Sequence, residues 1–329
     1  MTRLKALPQV SSRLQNHMFR MARNCSMALA LPFLVPFFTG MAATSTTALA
    51  QTNNAAAPAI RPEVVKLLQA SQDALREGQL DKALTLAQQA MAMPNISKDE
   101  RPYVLRTLAA AAMQAKNFVL AISTLETLVQ ELPDTTLPDQ RTALIESILS
   151  AAQQAQDLER FVKWARIYLD QGGRNPSVRP VLIQTLSVLK QHEAVIKEVK
   201  VKIKSDEEYS VNTPEIELRL MAYSQRMLKD DAGYNASLKM LLQRYPSKAY
   251  WAEVIPRVAR QANFNIRFDL DLYRLLELTG NMEDPTEYTD MANLALKNGL
   301  PAEAARVVEL AFSSGIFGKG SDVANQQKL

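Results

Sequence analysis

Chemistry in a protein chain needs nucleophiles, bases or metal ligands within reach of one another, and this sequence offers few. Two histidines are present, and only His192 lies beyond the first 50 residues. The single cysteine, Cys25, lies within them. A lone histidine without cysteine rules out a Cys/His zinc site and a cysteine nucleophile in the rest of the chain. His192 falls at the turn between two predicted helices, where a solvated turn histidine is the better reading than a general base. Asp269 with Asp271, and Glu283 with Asp284, are paired carboxylates that could divide acid and base roles. Both pairs sit near predicted helix starts, where acids complement the helix dipole, so capping outranks catalysis. There is no glycine-rich phosphate loop, no G-x-S-x-G and no H-E-x-x-H. The chain reads as non-enzymatic, with no cofactor.

The charge pattern excludes another class. The pI is near 9.0, but five of the 38 basic residues lie in the first 50 and none of the 34 acidic residues does. Residues 51–329 carry 33 basic residues against 34 acidic ones, a net charge of −1. A nucleic-acid partner inferred from the pI is therefore not supported. The basic segment is followed by "MALALPFLVPFFTGMAA" and "TSTTALA". Together they form a charged region, an apolar region and an A-x-A end, and read as a secretory signal peptide over residues 1–50. Cleavage after Ala50 leaves Gln51 as the mature N-terminus and places the protein in the periplasm. An uncleaved anchor is the alternative. Against it stand Pro32, Pro36 and an apolar core of about 12–17 residues, where a spanning helix wants about 20. Met1, Met18 or Met21 is the start. Cys25 precedes the apolar region, so lipid attachment there is not expected, and the mature chain has no disulfide.

The elements follow from periodicity. Residues 51–61 are small and polar, a linker. From Pro62 onward apolar residues recur at three and four, which is helical spacing. "LLQASQDALREGQLDKALTLAQQAMAMP" aligns with "VLRTLAAAAMQAKNFVLAISTLETLVQELP" at a shift of 38 residues, with Ala74 on Ala112 and Ala83 on Ala121. Tyr288, Met291, Ala292, Ala295, Gly299, Ala304, Val308 and Ala311 fit the same frame. Alanine at such positions lets two helices of a hairpin approach closely, because a larger side chain forces them apart. Four weaker pairs lie between: 139–170 with Phe161 where alanine is expected, 176–204 with Ala194 in place, 214–246, and 247–280. Val199–Lys204, "VKVKIK", alternates as a strand would, but its neighbours are helical. A helix puts Val195, Val199 and Ile203 on one stripe with the lysines outward.

These residues resemble the tetratricopeptide repeat, a helix–turn–helix unit of about 34 residues. The resemblance implies an all-α, right-handed superhelical solenoid of about seven antiparallel hairpins over residues 62–315, followed by a tail at 316–329. It also implies that the first helix of each hairpin lines a concave face that binds a protein or peptide. Carried over residue by residue, the outward positions are Arg76, Tyr103, Arg106, Gln114, Glu146, Gln153, Gln154, Arg179, Arg219, Tyr223 and Arg226. Five arginines on that wall suit an acidic partner, because a guanidinium binds carboxylates in a bidentate fork. The alternative is that they pair with acids nearby. Tyr245, Tyr250 and Trp251 cluster at a repeat junction and are read chiefly as core.

The expected function is an exported scaffold binding a protein or peptide in the cell envelope. The alternatives are an accessory subunit of an envelope or secretion complex and, less favoured, a glycan-cleaving enzyme carrying a helical solenoid. At the end of the chain Val307, Val308, Leu310 and Phe312 leave an apolar face, with only Ile316, Phe317 and Val323 beyond it. That predicts cover by a partner or by a second copy, or a shortened chain.

Overall fold

In a computed structural model of the chain, the described residues are 60–133, 135–319 and 323–327. The predicted leader and nearly all of the predicted linker lie outside them. The three-and-four spacing of apolar residues becomes seven helix pairs. They are α1 (Pro62–Arg76) with α2 (Leu80–Met91), α3 (Arg101–Gln114) with α4 (Phe118–Glu131), and α5 (Pro138–Ala155) with α6 (Leu158–Asp170). Next come α7 (Val178–Val188) with α8 (His192–Glu208), and α9 (Glu215–Met227) with α10 (Asp231–Arg244). The last two are α11 (Lys248–Ala259) with α12 (Asp269–Leu278), and α13 (Pro285–Lys297) with α14 (Pro301–Ser313). A short α15 (Val323–Gln326) ends the described chain, and no strand occurs among the described residues. Val199–Lys204 is helical, with Val195 and Val199 fully buried. Lys202, however, turns inward to Asp206 rather than outward to water.

Six of the seven hairpins close in the same way. The residue before the second helix's N-cap is left-handed in six of the seven pairs: Gly78 (φ 74°), Lys116 (58°), Gln156 (55°), Lys190 (57°), Lys229 (58°) and Gly299 (73°). The next amide then donates to the carbonyl five residues back, as from Gln79 to Ala74 and from Asn117 to Ala112, both at 2.8 Å. This is the Schellman closure, which satisfies carbonyls that the helix end leaves open. Four residues after each N-cap the second helix crosses the first. Ala83, Ala121 and Ala304 occupy that point and are buried. Phe161, Val195 and Tyr234 hold the same place in other hairpins. The fourth hairpin thus corrects the predicted register: Val195 fills the crossing and Ala194 stands beside it, half-buried.

Buried hydroxyls tie two of the pairs together. Ser71 donates to the Ala83 carbonyl at 2.8 Å, and Ser237 donates to Gln225 Oε1 at 2.6 Å. At the start of the solenoid, Glu100 is buried and accepts from the Arg61 backbone, the Arg61 guanidinium and the Ser97 amide. Those donors hold the Glu100 carboxyl down at about 2, the Arg61 side chain contributing most.

First helices of successive pairs also touch: α1 packs on α3 and α7 on α9. Second helices of successive pairs make no comparable contact.

The core is dense from α1 to α10 and thins at the sixth pair, where α11 and α12 contribute only Ile255 and Leu270 as buried side chains. Tyr245, Tyr250 and Trp251 are half-buried there rather than core. The last hairpin has its own cluster, including Met282, Tyr288, Met291, Val307 and Phe317. Phe317 meets Phe312 and Tyr288 edge-on at 5.4 and 6.2 Å, and Gln326 accepts from the Gly318 amide at 2.9 Å. The tail therefore covers much of the face expected to be open. Leu310 and Phe312, at 36% and 40% exposure, remain partly open beside it.

Candidate functional site

The first-helix positions do not behave alike. Arg76, the last residue of α1, pairs with Asp73 at 3.0 Å. Arg179 on α7 is held by Glu198 on α8. Glu146 on α5 accepts a hydrogen bond from the Tyr168 hydroxyl, while Gln153 and Gln154 are exposed. Tyr103, Arg106 and Gln114 lie along one exposed face of α3, opposite its buried Val104, Leu108 and Ala112. Arg106 has no carboxylate partner among the described residues, and the same is true of Arg219 and Arg226 on α9. Of the five arginines placed on the wall, two are neutralised locally and three are not.

The strongest convergence is on α9, α10 and α11. The Arg226 guanidinium lies 5.9 Å from the centre of the Tyr223 ring. Tyr223 in turn meets His192 edge-on at 5.8 Å. His192 is not a solvated turn residue as expected: it is half-buried, with Nδ1 3.4 Å from Ser224 Oγ. Among the described residues no carboxylate is hydrogen-bonded to its ring. Tyr250 of α11 donates to Glu215 Oε1 at 2.5 Å. Burial, reinforced by Glu215, pushes the Tyr250 hydroxyl up, and the Arg219 charge opposes this. Tyr234 of α10 donates to Glu253 Oε2 at 3.2 Å, under the Arg257 guanidinium at 4.6 Å. Arg257 and Glu253 are 3.9 Å apart.

Three arginines and three tyrosines thus meet across three helices. A guanidinium held near a phenol ring by cation–π attraction keeps its N–H groups for an anion. Arg257 and Tyr234 were not anticipated from the sequence. Their second-helix and sixth-pair positions fall outside the wall implied by a first-helix pattern.

Of the acidic pairs, Asp284 takes the expected capping role, while Asp271 and Glu283 form ion pairs instead. Asp271 pairs with Arg274 at 2.8 Å. Asp284 caps α13, accepting from the Thr286 amide at 2.9 Å within a capping box. Glu283 pairs with Lys248 at 2.5 Å, and that contact holds its carboxyl low.

The helices define a helical-hairpin solenoid, and the arginines and tyrosines form one basic, aromatic stretch on it. No model of a known protein family matches the sequence. No curated protein matches it. Among solved structures, it is similar to the TPR2AB domain of yeast Sti1 in a pHSP90 complex, at 17% identity and a TM-score of 0.41 over 80% of this chain and 96% of that one. It is also similar to a tetratricopeptide repeat protein from Parabacteroides merdae, at 12% identity and a TM-score of 0.36, covering 81% and 98%. A third is the C-terminal part of a TPR repeat-containing protein from Cytophaga hutchinsonii, at 11% identity and a TM-score of 0.35, covering 80% and 100%. The fold assignment rests on this chain's own helix pairs.

Proposed function

We propose that the protein is an exported, non-enzymatic scaffold whose first-helix face holds an acidic segment of a partner protein in the cell envelope. The observation that carries this reading is the set Arg106, Arg219 and Arg226. These guanidinium groups have no carboxylate partner among the described residues, and they stand with Tyr103 and Tyr223 on first helices. An arginine without a local acid keeps its full bidentate capacity for a ligand. The export half of the proposal rests on the leader pattern of residues 1–50.

The test uses immobilised protein and an envelope extract. The double variant Arg219→Glu, Arg226→Glu is expected to lose capture of a partner retained by the wild type, with helicity unchanged by circular dichroism. Exposed charge pairs contribute only about 0.2–1 kcal/mol each, so two reversals are combined. Capture by the wild type should also weaken with added salt. Equal capture by a folded double variant rejects the acidic-segment reading. N-terminal sequencing of the protein from cells checks export: an intact leader on a cytoplasmic protein rejects it.

A further inference from the structure

The junction of the fourth and fifth hairpins contains a polar cluster that the docking face does not use. On α8, the Lys202 ammonium lies 2.8 and 3.0 Å from the two Asp206 oxygens. It lies 3.9 Å from Glu217 Oε2 on α9, too far for a hydrogen bond. Glu217 is 2% exposed and its Oε2 has no hydrogen-bond partner. Thr213, four residues earlier, is fully buried with its hydroxyl unpartnered. Its carbonyl accepts from the Tyr245 hydroxyl at 2.8 Å. Next to Tyr245, Arg244 directs Nη2 to Glu207 at 2.8 Å and leaves Nη1 buried without a partner. Among the described residues, the buried side-chain polar atoms lacking a hydrogen bond are Thr213 Oγ1, Glu217 Oε2 and Arg244 Nη1, and all three belong to this junction. A buried carboxylate without donors is the costly member of that set.

The charged groups around it do not supply the missing donor. From α8, one ammonium faces two carboxylates, and Asp206 takes it. From α7, Arg179 is committed to Glu198. From α10, Arg244 gives Nη2 to Glu207 while its Nη1 makes no hydrogen bond, and Tyr245 is committed to the Thr213 carbonyl. On α9 itself, Glu215 accepts from Tyr250, and Arg219 lies beside that same tyrosine.

We propose that this junction is a proton-linked switch, in which Glu217 carries a proton while α9 is packed on α8 and loosens that packing when it ionises. Protonation removes the uncompensated charge and leaves Lys202 matched one-to-one with Asp206. Burial pushes the Glu217 carboxyl up to about 7, Lys202 opposing the shift and Asp206 adding to it. The folded value lies above that of an ordinary carboxyl, so by linkage the folded state binds the extra proton. The stability due to this group is fully present below pH ~4 and is lost as pH rises through about 7.

The experiment is thermal unfolding of the protein across pH 5.5–8.5, followed by circular dichroism, together with amide exchange over residues 205–220. Wild-type Tm is expected to fall by several degrees, on the order of 4 °C, from pH 5.5 to about 7 and to level off above it, with exchange in that segment rising beyond its chemical pH dependence. Glu217→Gln keeps the shape and the neutral state and should abolish the fall. Asp206→Asn frees Lys202 for Glu217 and should move the transition to lower pH. Histidine is the other side-chain type that titrates in this range, and His192 touches α9, so His192→Gln should leave the fall in place. A wild-type Tm that is flat from pH 5.5 to 7, a fall that persists in Glu217→Gln, or one that vanishes in His192→Gln overturns the proposal. Should Glu217→Gln not fold, a carboxyl titration near neutral pH in the carbon-13 spectrum of the wild type, shifted down in Asp206→Asn, decides it.

Discussion

The left-handed residue that closes six of the hairpins gives a quantitative prediction. At Gly78 the backbone has φ 74°, and a Cβ built there meets no atom within 4 Å. Gly78→Ala therefore introduces no clash and measures backbone conformation alone. A side-chain-bearing residue in this region costs roughly 1–2 kcal/mol, while replacing glycine returns about 0.5–1 kcal/mol by restricting the unfolded chain. The net expectation is a loss of about 0.5–1 kcal/mol. The converse holds at Lys116 and Lys229, which already stand at φ 58° with side chains. Lys116→Gly and Lys229→Gly should each stabilise by about the same amount. They lie in different hairpins and should add, raising Tm by roughly 2–8 °C when combined, at about 2–4 °C per kcal/mol for a chain of this size. Urea unfolding followed by circular dichroism measures the change. Destabilisation by both glycine variants, or no loss in Gly78→Ala, would refute the idea that left-handed closure limits hairpin stability.

Packing and charge give three further expected outcomes. Ala121→Leu places a large side chain at a fully buried helix crossing and should cost about 1–3 kcal/mol, read by chemical denaturation. Phe317→Ala removes the side chain that the tail buries against Phe312 and Tyr288; it should cost about 3 kcal/mol, raise binding of an apolar dye and promote association, visible by light scattering. The Glu100 carboxyl is held at about 2 by Arg61 and backbone amides, so its contribution is present above the ordinary carboxylate range and is lost as pH falls through about 2. Arg61→Ala should therefore move the onset of acid unfolding to higher pH, followed by circular dichroism during an acid titration.

The helical-hairpin class was legible because it depends on short-range features. Apolar spacing, the alanines at the crossings and the glycines at Gly78 and Gly299 are local. The left-handed Lys116, Gln156, Lys190 and Lys229 were not legible, because the position is fixed by the helix–turn geometry and not by residue type. Alanine served as the register marker in the fourth hairpin, and the smaller residue proved not to be the one at the crossing; Val195 fills it and Ala194 stands aside. The docking face was legible only in part. Which arginines remain available depends on acids from other helices, as with Glu198 for Arg179, and no spacing rule within one helix contains that information. Lys202 fails as a solvent-facing lysine because it pairs with Asp206 four residues on, on the side of the helix that faces Glu217 of the next one.

The thin sixth hairpin bears on cooperativity. In a stack where each repeat touches only its neighbours, the free energy of unfolding is a sum of repeat terms and nearest-neighbour couplings. A pair that contributes only Ile255 and Leu270 as buried side chains, with Pro256 interrupting the amide ladder of α11, is a weak link in that sum. The first five hairpins on one side and the last hairpin with its tail on the other then form separate cooperative units. Denaturation should show two transitions rather than one, and amide exchange in α11 and α12 should proceed by local opening while α3, α4 and α9 remain protected.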